Sequence, residues 1–587
     1  MIKDCLEVFK KNLEAKGERY ILDNYIPKDG TYILVKMVGN QFEMASPLDV
    51  IYDKKNKVMK GKEDGRFSMI CAMDYYSKLI EMNKPMDSGK IIHSNNYLSF
   101  VVKKKSIKNE KLTQSIIDGY YRILLDPSEK YKKSKKSSSL YNEVVNDIGL
   151  VDQSFLEAIH KWIIDNIFTL EVNLDKKDYL KIFFMLENEQ ETRNLYAKEY
   201  KRYLLPNIYN SNDFNVEIEN HICGLPNDNM GMNSKKPYLA NKNRGQIEVP
   251  YLINQENALL QVQFFDYLQG LASKGKYNIY FDIDNITIKG YGSTEGPEAQ
   301  MHGYFLRIQK GKELEIHNCD TVVSYNPNLI PTFYYRNIIR WKGDEYGESI
   351  KKRKELEMTV NDVLFGGKLI YNYFTDSGDL KREDSALRNN LIVGRDQLFS
   401  WFYKNEGADI SEIMQMVSTA LIKDSVSKGY RKKAKKQLNL KWSFKDYFLQ
   451  NREMEERMNR VEENFDKHVE RADSWDFDGD DAEYYFAVGQ VVYCLIIRNK
   501  GKKTPFSLAN TFFNAKSDKI IKRELTSMFK KYSYDISIKS MKLKNVLSRI
   551  LLYQPEAAVN QDMILAGLMS NNAIVKHEEK EEELVNE

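Results

Sequence analysis

The opening residues set Ile2, Leu6, Phe9 and Leu13 three and four apart with lysine and glutamate between them, which predicts an amphipathic first helix. From Tyr32 to Ile51 the period shortens. TYILVKMVG and then FEMASPLDVIYD alternate in short apolar runs, the pattern of strands joined in a hairpin. A helix is predicted over 68–82. IIHSNNYLSFVVKKKSI, at 91–107, reads as two strands around a polar turn, His93-Ser94-Asn95-Asn96, which is either a plain hairpin or a set of donors offered to a ligand. Helical spacing returns over 141–210, through FLEAIHKWIIDNIF and DYLKIFFML, and again over 255–273. Beyond them, KYNIYFDIDNITIKGYG, QMHGYFLRIQ and ELEIHN alternate with period 2, so a sheet is expected in the middle of the chain. From Asp409 strand signals almost vanish. The basic KGYRKKAKKQLNLK, a charged helix at 452–471, the acidic break DSWDFDGDD and four further helical runs follow.

These patterns predict an α+β protein in three parts. A mixed N-terminal domain is expected over 1–215, a central antiparallel-sheet domain over 216–405 and a helical bundle over 406–575, with an acidic tail at 576–587. At about 150 residues per domain, 587 residues allow three or four.

One stretch fits neither period. His221 to Tyr251 holds glycines 224, 231 and 245, prolines 226, 237 and 250, and five asparagines, three lysines and an arginine. Glycine and proline punctuate a loop. Loops beyond about 15 residues without their own secondary structure are usually functional or disordered. Cys223, Met230, Met232, Tyr238 and Tyr251 supply apolar anchors that favour an ordered loop.

Composition narrows the classes. A 42% hydrophobic and 12% aromatic content supports packed cores. The net charge of +4 is only mildly basic, so any polyanion contact has to come from clusters. Five cysteines lie far apart with no CxxC pair, which argues against a disulfide framework or a complete zinc site and suits a reducing cytoplasm. The first residues lack the apolar core of a signal peptide. The longest apolar run, Tyr484 to Ile497, is too short to span a bilayer, so no membrane contact is expected.

Candidate chemistry is sparse. Asp282 and Asp284 form a D-x-D in FDIDN, and on a strand both carboxylates would share a face, as a divalent cation in a nuclease needs. Solvent-facing strand acids give the same pattern, and His302 and His317 are the only local histidines. Gly290, Gly292 and Gly296 miss the dinucleotide fingerprint and read as a turn. DFDGDD from Asp476 lacks the EF-hand's glycine and closing glutamate. His221 and Cys223 find no second pair at zinc spacing. No metal, cofactor or catalytic residue is assigned. The basic clusters are stronger. Lys235, Lys236, Lys242 and Arg244 interleave with Tyr238, Asn241 and Asn243, with Asn229 and Asn233 just before them, and a second cluster carries Arg431, Lys432, Lys433, Lys435 and Lys436. Cations hold phosphate, amides read base edges and an aromatic face stacks on a base. A solvated charged face is the competing reading for each cluster. Lys130, Lys132, Lys133, Lys135 and Lys136 read as a basic, mobile surface loop.

Three longer blocks go further. CGLPNDNMGMNSKKPYLANKNR with VPYLINQENALLQVQFFDYL, IIHSNNYLSFVVKKKSI near the start, and YYFAVGQVVYCLIIRNKGKKTPFSLANTFFNAKSDKIIKRELTSMFKKYSYDIS with QPEAAVNQDMILAGLMSNN resemble the large subunit of type I-B CRISPR Cascade complexes. Some members of that family carry a paired-cysteine zinc ribbon where this chain has only Cys223. The resemblance implies a non-catalytic subunit that binds the 5′ handle of the CRISPR RNA, recognises the protospacer-adjacent motif in duplex DNA and assists R-loop formation. Base pairing reads the target in such systems, while protein reads a short motif and the backbone. Its implied partners are the CRISPR RNA, target double-stranded DNA, the other Cascade backbone subunits, a small subunit and a recruited helicase-nuclease. The bundle from about 454 resembles the small subunit, with Met454 and Met458 as candidate internal starts. The rival readings are a metal-dependent nuclease using Asp282 and Asp284, and a scaffold that only bridges subunits.

Overall fold

The computed structural model describes residues 2–39, 41–53, 55–56, 58–132, 134–226, 252–311, 314–380, 384–407, 409–471, 475–499, 506–533, 536 and 540–575. The chain is a mixed α+β protein. It divides into two compact units, Met1–Glu295 with Gly303–Thr321, and Gly296–His302 with Val322–Glu587.

The first unit is built on a six-stranded sheet. β1 (Gly30–Val38), β2 (Gln41–Met44), β3 (Leu48–Asp53), β4 (Val58–Lys60), β5 (Ser99–Lys103) and β6 (Tyr179–Met185) give the order β4-β3-β1-β6-β5, with β2 on the outer half of β1. β1 and β6 run parallel, in register from Gly30↔Tyr179 to Lys36↔Met185, and the other pairings are antiparallel. β6 is the stretch DYLKIFFML, expected to be helical. An apolar run with no polar face has no period to read, and buried strands look the same as buried helix segments.

Lys181 lies within β6 and is only 2% exposed. Its Nζ donates to Asp74 Oδ1 at 2.5 Å and to the Tyr32 hydroxyl at 2.7 Å, and Asp74 Oδ2 accepts from Tyr25 at 2.9 Å. Burial pulls the Lys181 pKa down, against the attraction of Asp74.

Of two expected surface features, one turns inward and the other, exposed at Lys132, Lys135 and Lys136, is helical. Ser94, Asn95 and Asn96 of the HSNN segment are buried and His93 is half-buried. Asn95 donates to the Tyr76 and Lys78 carbonyls, Asn96 accepts the Leu98 N–H, and Ser94 accepts the Tyr120 hydroxyl. Its donors are spent on the fold. The expected basic loop is helical over Ser128–Tyr131 and Lys135–Ile148. Lys130 donates to the Lys84 and Pro85 carbonyls, with burial lowering its pKa to about 8, and Lys136 donates to the Asp213 and Asn215 carbonyls at 2.9 and 2.6 Å.

A short ribbon, β7 (Val216–Ile218) and β8 (His221–Cys223), turns through Glu219 and Asn220, both at positive φ as a type I′ hairpin needs. β9 (Asn278–Asp282), β10 (Thr287–Tyr291), β11 (Met301–Lys310) and β12 (Leu314–Tyr325) form a sheet in the order β10-β9-β11-β12. Phe9 of the first helix packs on Phe264, and Phe264 on Phe281 of β9. The central sheet therefore shares one core with the N-terminal sheet, and no boundary falls at 215/216. The chain changes units within β12 instead.

In the second unit β13 (Asn328–Arg336) and β14 (Gly347–Lys352) form an antiparallel ribbon. Phe333 packs on Phe444 of the helix Arg431–Leu449, and Arg336 pairs with Asp446 at 3.1 Å, so the chain is continuous in packing across 405/406 as well. The bundle centres on the helix Asp481–Ile497, which crosses Gln561–Met569 at two glycines. A Cβ on Gly489 would meet the Ile564 carbonyl at 2.2 Å, and one on Gly567 the Phe486 carbonyl at 2.0 Å, so only glycine lets the backbones touch. DFDGDD is an interhelical turn with Asp478 and Gly479 at positive φ, and Asp480 caps the next helix. Among the described residues no helix is long and apolar enough to cross a membrane.

His468 meets Glu483 at 2.6 Å in this bundle and stacks on Trp475. Burial, reinforced by the Asp480 and Asp478 carboxylates, pushes Glu483 up to about 8, while burial lowers His468, so a neutral pair shares one proton near pH 7.

Two outcomes are expected. Asp74→Ala strands the Lys181 charge and should lower unfolding free energy by about 3–5 kcal/mol, whereas Asp74→Leu with Lys181→Met should cost less than that single change; urea denaturation measures both. Because the folded state holds the Glu483 proton that the unfolded chain releases near pH 4.5, this contribution is lost as pH rises through about 8. Melting of the full chain between pH 6.5 and 9 should therefore fall with pH, and Glu483→Gln should flatten the fall.

Candidate nucleic-acid interface

The helix Ile410–Ser427 ends in a Schellman motif. Gly429 takes φ +81°, its N–H donates to the Val426 carbonyl, and the Tyr430 N–H donates to that of Ser425. The chain restarts at once as Arg431–Leu449, so the basic segment is the first turns of a rigid helix rather than a loop.

That helix sorts its cations by face. The Arg431 guanidinium lies 3.9 Å from the Tyr493 ring centroid and 5.3 Å from that of Trp341. Its Nη2 donates to the Leu568, Met569 and Ser570 carbonyls at 3.1, 3.4 and 3.3 Å, closing the C-terminus of Gln561–Met569, and burial lowers its pKa. Lys435 is 2% exposed, pairs with Asp344 and sits 4.2 Å over Trp341. Burial works to raise the Asp344 carboxyl, but Lys435 and the Trp341 N–H outweigh it and leave it below the usual range. Trp341 in turn donates from Nε1 to the Met569 carbonyl at 2.8 Å. Arg431 and Lys435 are thus bound into the fold.

Lys432, Lys433 and Lys436 are exposed and make no ion pair among the described residues. Lys436 follows Lys432 by four residues and Lys433 by three, so it neighbours both on the helix surface and the three form one ridge. The flanking lysines are neutralised: Lys428 pairs with Asp384 and Asp424, and Lys441 with Asp562. Beside the ridge, Tyr335 donates to the Lys436 carbonyl at 3.2 Å. The loop that supplies Trp341 and Asp344 also carries exposed Lys342, and Arg340 stacked 4.4 Å from Tyr346, whose side chain is 79% exposed. Cations with an exposed ring suit a phosphate and a stacked base. Sequence reasoning missed Arg340, Lys342 and Tyr346. The signal was RWKGDEYG, a glycine-broken run of cations and aromatics between two strands.

The other candidate cluster, Asn229, Asn233, Lys235, Lys236, Asn241, Lys242 and Arg244, lies outside the described residues. Its base is described. Gly224 and Ile253 exchange both backbone hydrogen bonds at 3.0 Å, and Asn254 caps Gln255–Ser273 by accepting the Asn257 N–H. A Cβ on Gly224 would meet Asn215 Oδ1 at 2.4 Å and the Tyr209 ring at 2.5 Å, so glycine is required there. The ends of the long insertion are brought together on the first unit.

Asp282 and Asp284 do not share a strand face. β9 ends at Asp282, whose carboxylate accepts the N–H groups of Asp284 and Asn285 at 3.1 and 2.9 Å and the Asn285 amide at 2.9 Å. An aspartate that closes its own turn in this way is an Asx turn. Among the described residues no group of three or more His, Cys, Asp or Glu could hold a metal ion. His221 is exposed and Cys223 buried.

No family model matches this chain, and no curated protein or solved structure matches it either.

Arg431→Ala, which uncovers three carbonyls, should destabilise the second unit by about 2–4 kcal/mol. Alanine at Lys432, Lys433 or Lys436 should change stability by less than about 0.5 kcal/mol. Equilibrium denaturation of the four variants checks the division between the two faces.

Proposed function

We propose that this protein is the large subunit of a type I-B CRISPR Cascade complex, a non-enzymatic nucleic-acid-binding component. The observation that carries the binding role is the ridge of Lys432, Lys433 and Lys436, held on a helix where Arg431, Lys435 and Lys441 are bound into the fold. Three cations fixed on one rigid face, without carboxylate partners, suit the phosphates of a strand. The three sequence blocks that resemble the family supply the biological setting. In it the chain binds the CRISPR RNA handle, reads the protospacer-adjacent motif in duplex DNA, and works in the cytoplasm with backbone subunits and a recruited helicase-nuclease. Asn229, Asn233 and Asn241 would read base edges in the groove, with Lys235, Lys236, Lys242 and Arg244 on phosphates.

The small-subunit-like part beginning near 454 has a structural consequence. Met454 and Met458 are buried in one core with Ile422, Val426, Leu438 and Trp442. A segment made separately from either methionine would expose that face and need a partner to cover it. For the nuclease reading no observation speaks, since Asp282 closes a turn.

In a reconstituted complex, replacing Lys432, Lys433 and Lys436 together by alanine should weaken DNA binding and flatten its salt dependence by about 2–3 units of log K against log salt. Replacing Lys235, Lys236 and Arg244 should specifically weaken binding of motif-containing duplex. Unchanged affinity and slope in both variants would overturn the assignment.

A further inference from the structure

A cleft of about 1070 Å³ opens in the first unit, walled by the turn after the first helix, the β3–β4 hairpin and the starts of two helices, Phe67–Ser77 and Glu189–Leu204. Arg193 and Lys274 reach into it half-buried, and Arg19 and Lys62 stand exposed on its walls. None of the four makes an ion pair among the described residues. Of the five donors a guanidinium offers, Arg193 has one described bond, from Nη2 to Ser68 Oγ at 3.3 Å. Lys274 donates only to neutral acceptors, the Asp23 carbonyl at 2.8 Å and Asn24 Oδ1 at 3.0 Å. Burial, then the neighbouring Lys62, lowers its pKa.

Glu18, Asp23 and Glu63 also line the cleft, but all three are exposed and none approaches these cations within ion-pair distance. Half-buried cations without a counter-charge are costly, and an anion entering the cleft removes that cost. The floor is compatible with one. Burial pushes the Cys71 thiol up to about 12, so it stays neutral beside an incoming anion. Val58, Met59, Phe67 and the Tyr52 ring, whose hydroxyl donates to the Ser273 carbonyl at 3.2 Å, give the lining its apolar part.

We propose that this cleft binds a phosphorylated nucleoside, with its phosphate against Arg193, Lys274 and Lys62 and its base against Phe67 and Met59. The volume is at the upper end of small-ligand sites, which run to about 1,000 Å³. A free nucleotide and the 5′-phosphorylated end of a strand present the same chemistry. The site lies in the first unit, on residues separate from the lysine ridge, and does not depend on the function proposed above.

The test uses the full chain with three probes: ATP, a ten-nucleotide DNA strand carrying a 5′ phosphate, and the same strand without it. Calorimetry should show saturable binding of ATP, or a preference for the 5′-phosphorylated strand. Exposed Lys62→Glu and half-buried Arg193→Gln should each reduce that affinity or preference about tenfold or more. Binding of ATP identifies a free nucleotide as the source, and the strand preference alone identifies a strand end. Absence of both, or full retention in Lys62→Glu, would overturn the proposal. Inorganic phosphate displacing ATP at equal concentration would overturn the nucleoside half of it.

Discussion

A lysine sealed inside a sheet is the constraint on which the first unit turns. Lys181 lies on β6, the strand that pairs with both β1 and β5, and its ammonium has no route to water. Charge in that position persists only with a paired and hydrogen-bonded counter-ion. Asp74 supplies it from the helix Phe67–Ser77, and Tyr25 and Tyr32 fill the remaining valences. Three distant segments must therefore arrive together: β1 with Tyr32, the helix with Asp74, and β6 with Lys181. The parallel β1–β6 pairing joins residues about 149 apart in sequence and has no local turn to set its register. A one-residue slip would carry Lys181 to the other face of the sheet, so the buried pair specifies the register as much as it stabilises it.

The second unit relies on close approach instead. Gly489 and Gly567 let two helices meet backbone to backbone, and Gln490 then donates to the Gly567 and Asn571 carbonyls at 2.6 and 3.2 Å. The C-terminus of Gln561–Met569 emerges there with carbonyls that no turn of its own helix satisfies. Arg431 and Trp341 take that duty. Because Arg431 begins its helix, the same contact that closes one helix orients the next, and with it the direction in which Lys432, Lys433 and Lys436 project.

How much of this was legible depends on whether a residue's partner is near it in sequence. The first helix follows its period because it has one buried and one wet face. β6 did not, because burial on both sides erases the period. The HSNN turn looked like a ligand site because side-chain amides outside a regular element have no visible partner in sequence; their partners are the carbonyls of Tyr76 and Lys78, almost twenty residues earlier. Asp282 and Asp284 suggested a strand face because period 2 continues past the point where Asn285 and Ile286 turn the chain. The three-part division failed for a related reason: composition changes at the long insertion, while packing joins Phe9 to Phe264 across it.

The charged clusters make the same point in a form that bears on function. Counting basic residues in a window places Arg431 and Lys435 with Lys432, Lys433 and Lys436, and sets Lys130 and Lys136 in a mobile loop. Partner by partner the groups separate. Arg431, Lys435 and Lys130 end on carbonyls or a carboxylate of their own chain and are committed to the fold, while Lys136 bonds two carbonyls and stays exposed. Arg193, scattered in sequence from every other cation of its cleft, belongs to no cluster that a window could find. Yet it keeps four donors without a described acceptor, in a place where water is partly excluded. The binding capacity of a cation is set by what remains unsatisfied after folding, and a half-buried, unpaired guanidinium retains more of it than a crowded but neutralised run of lysines.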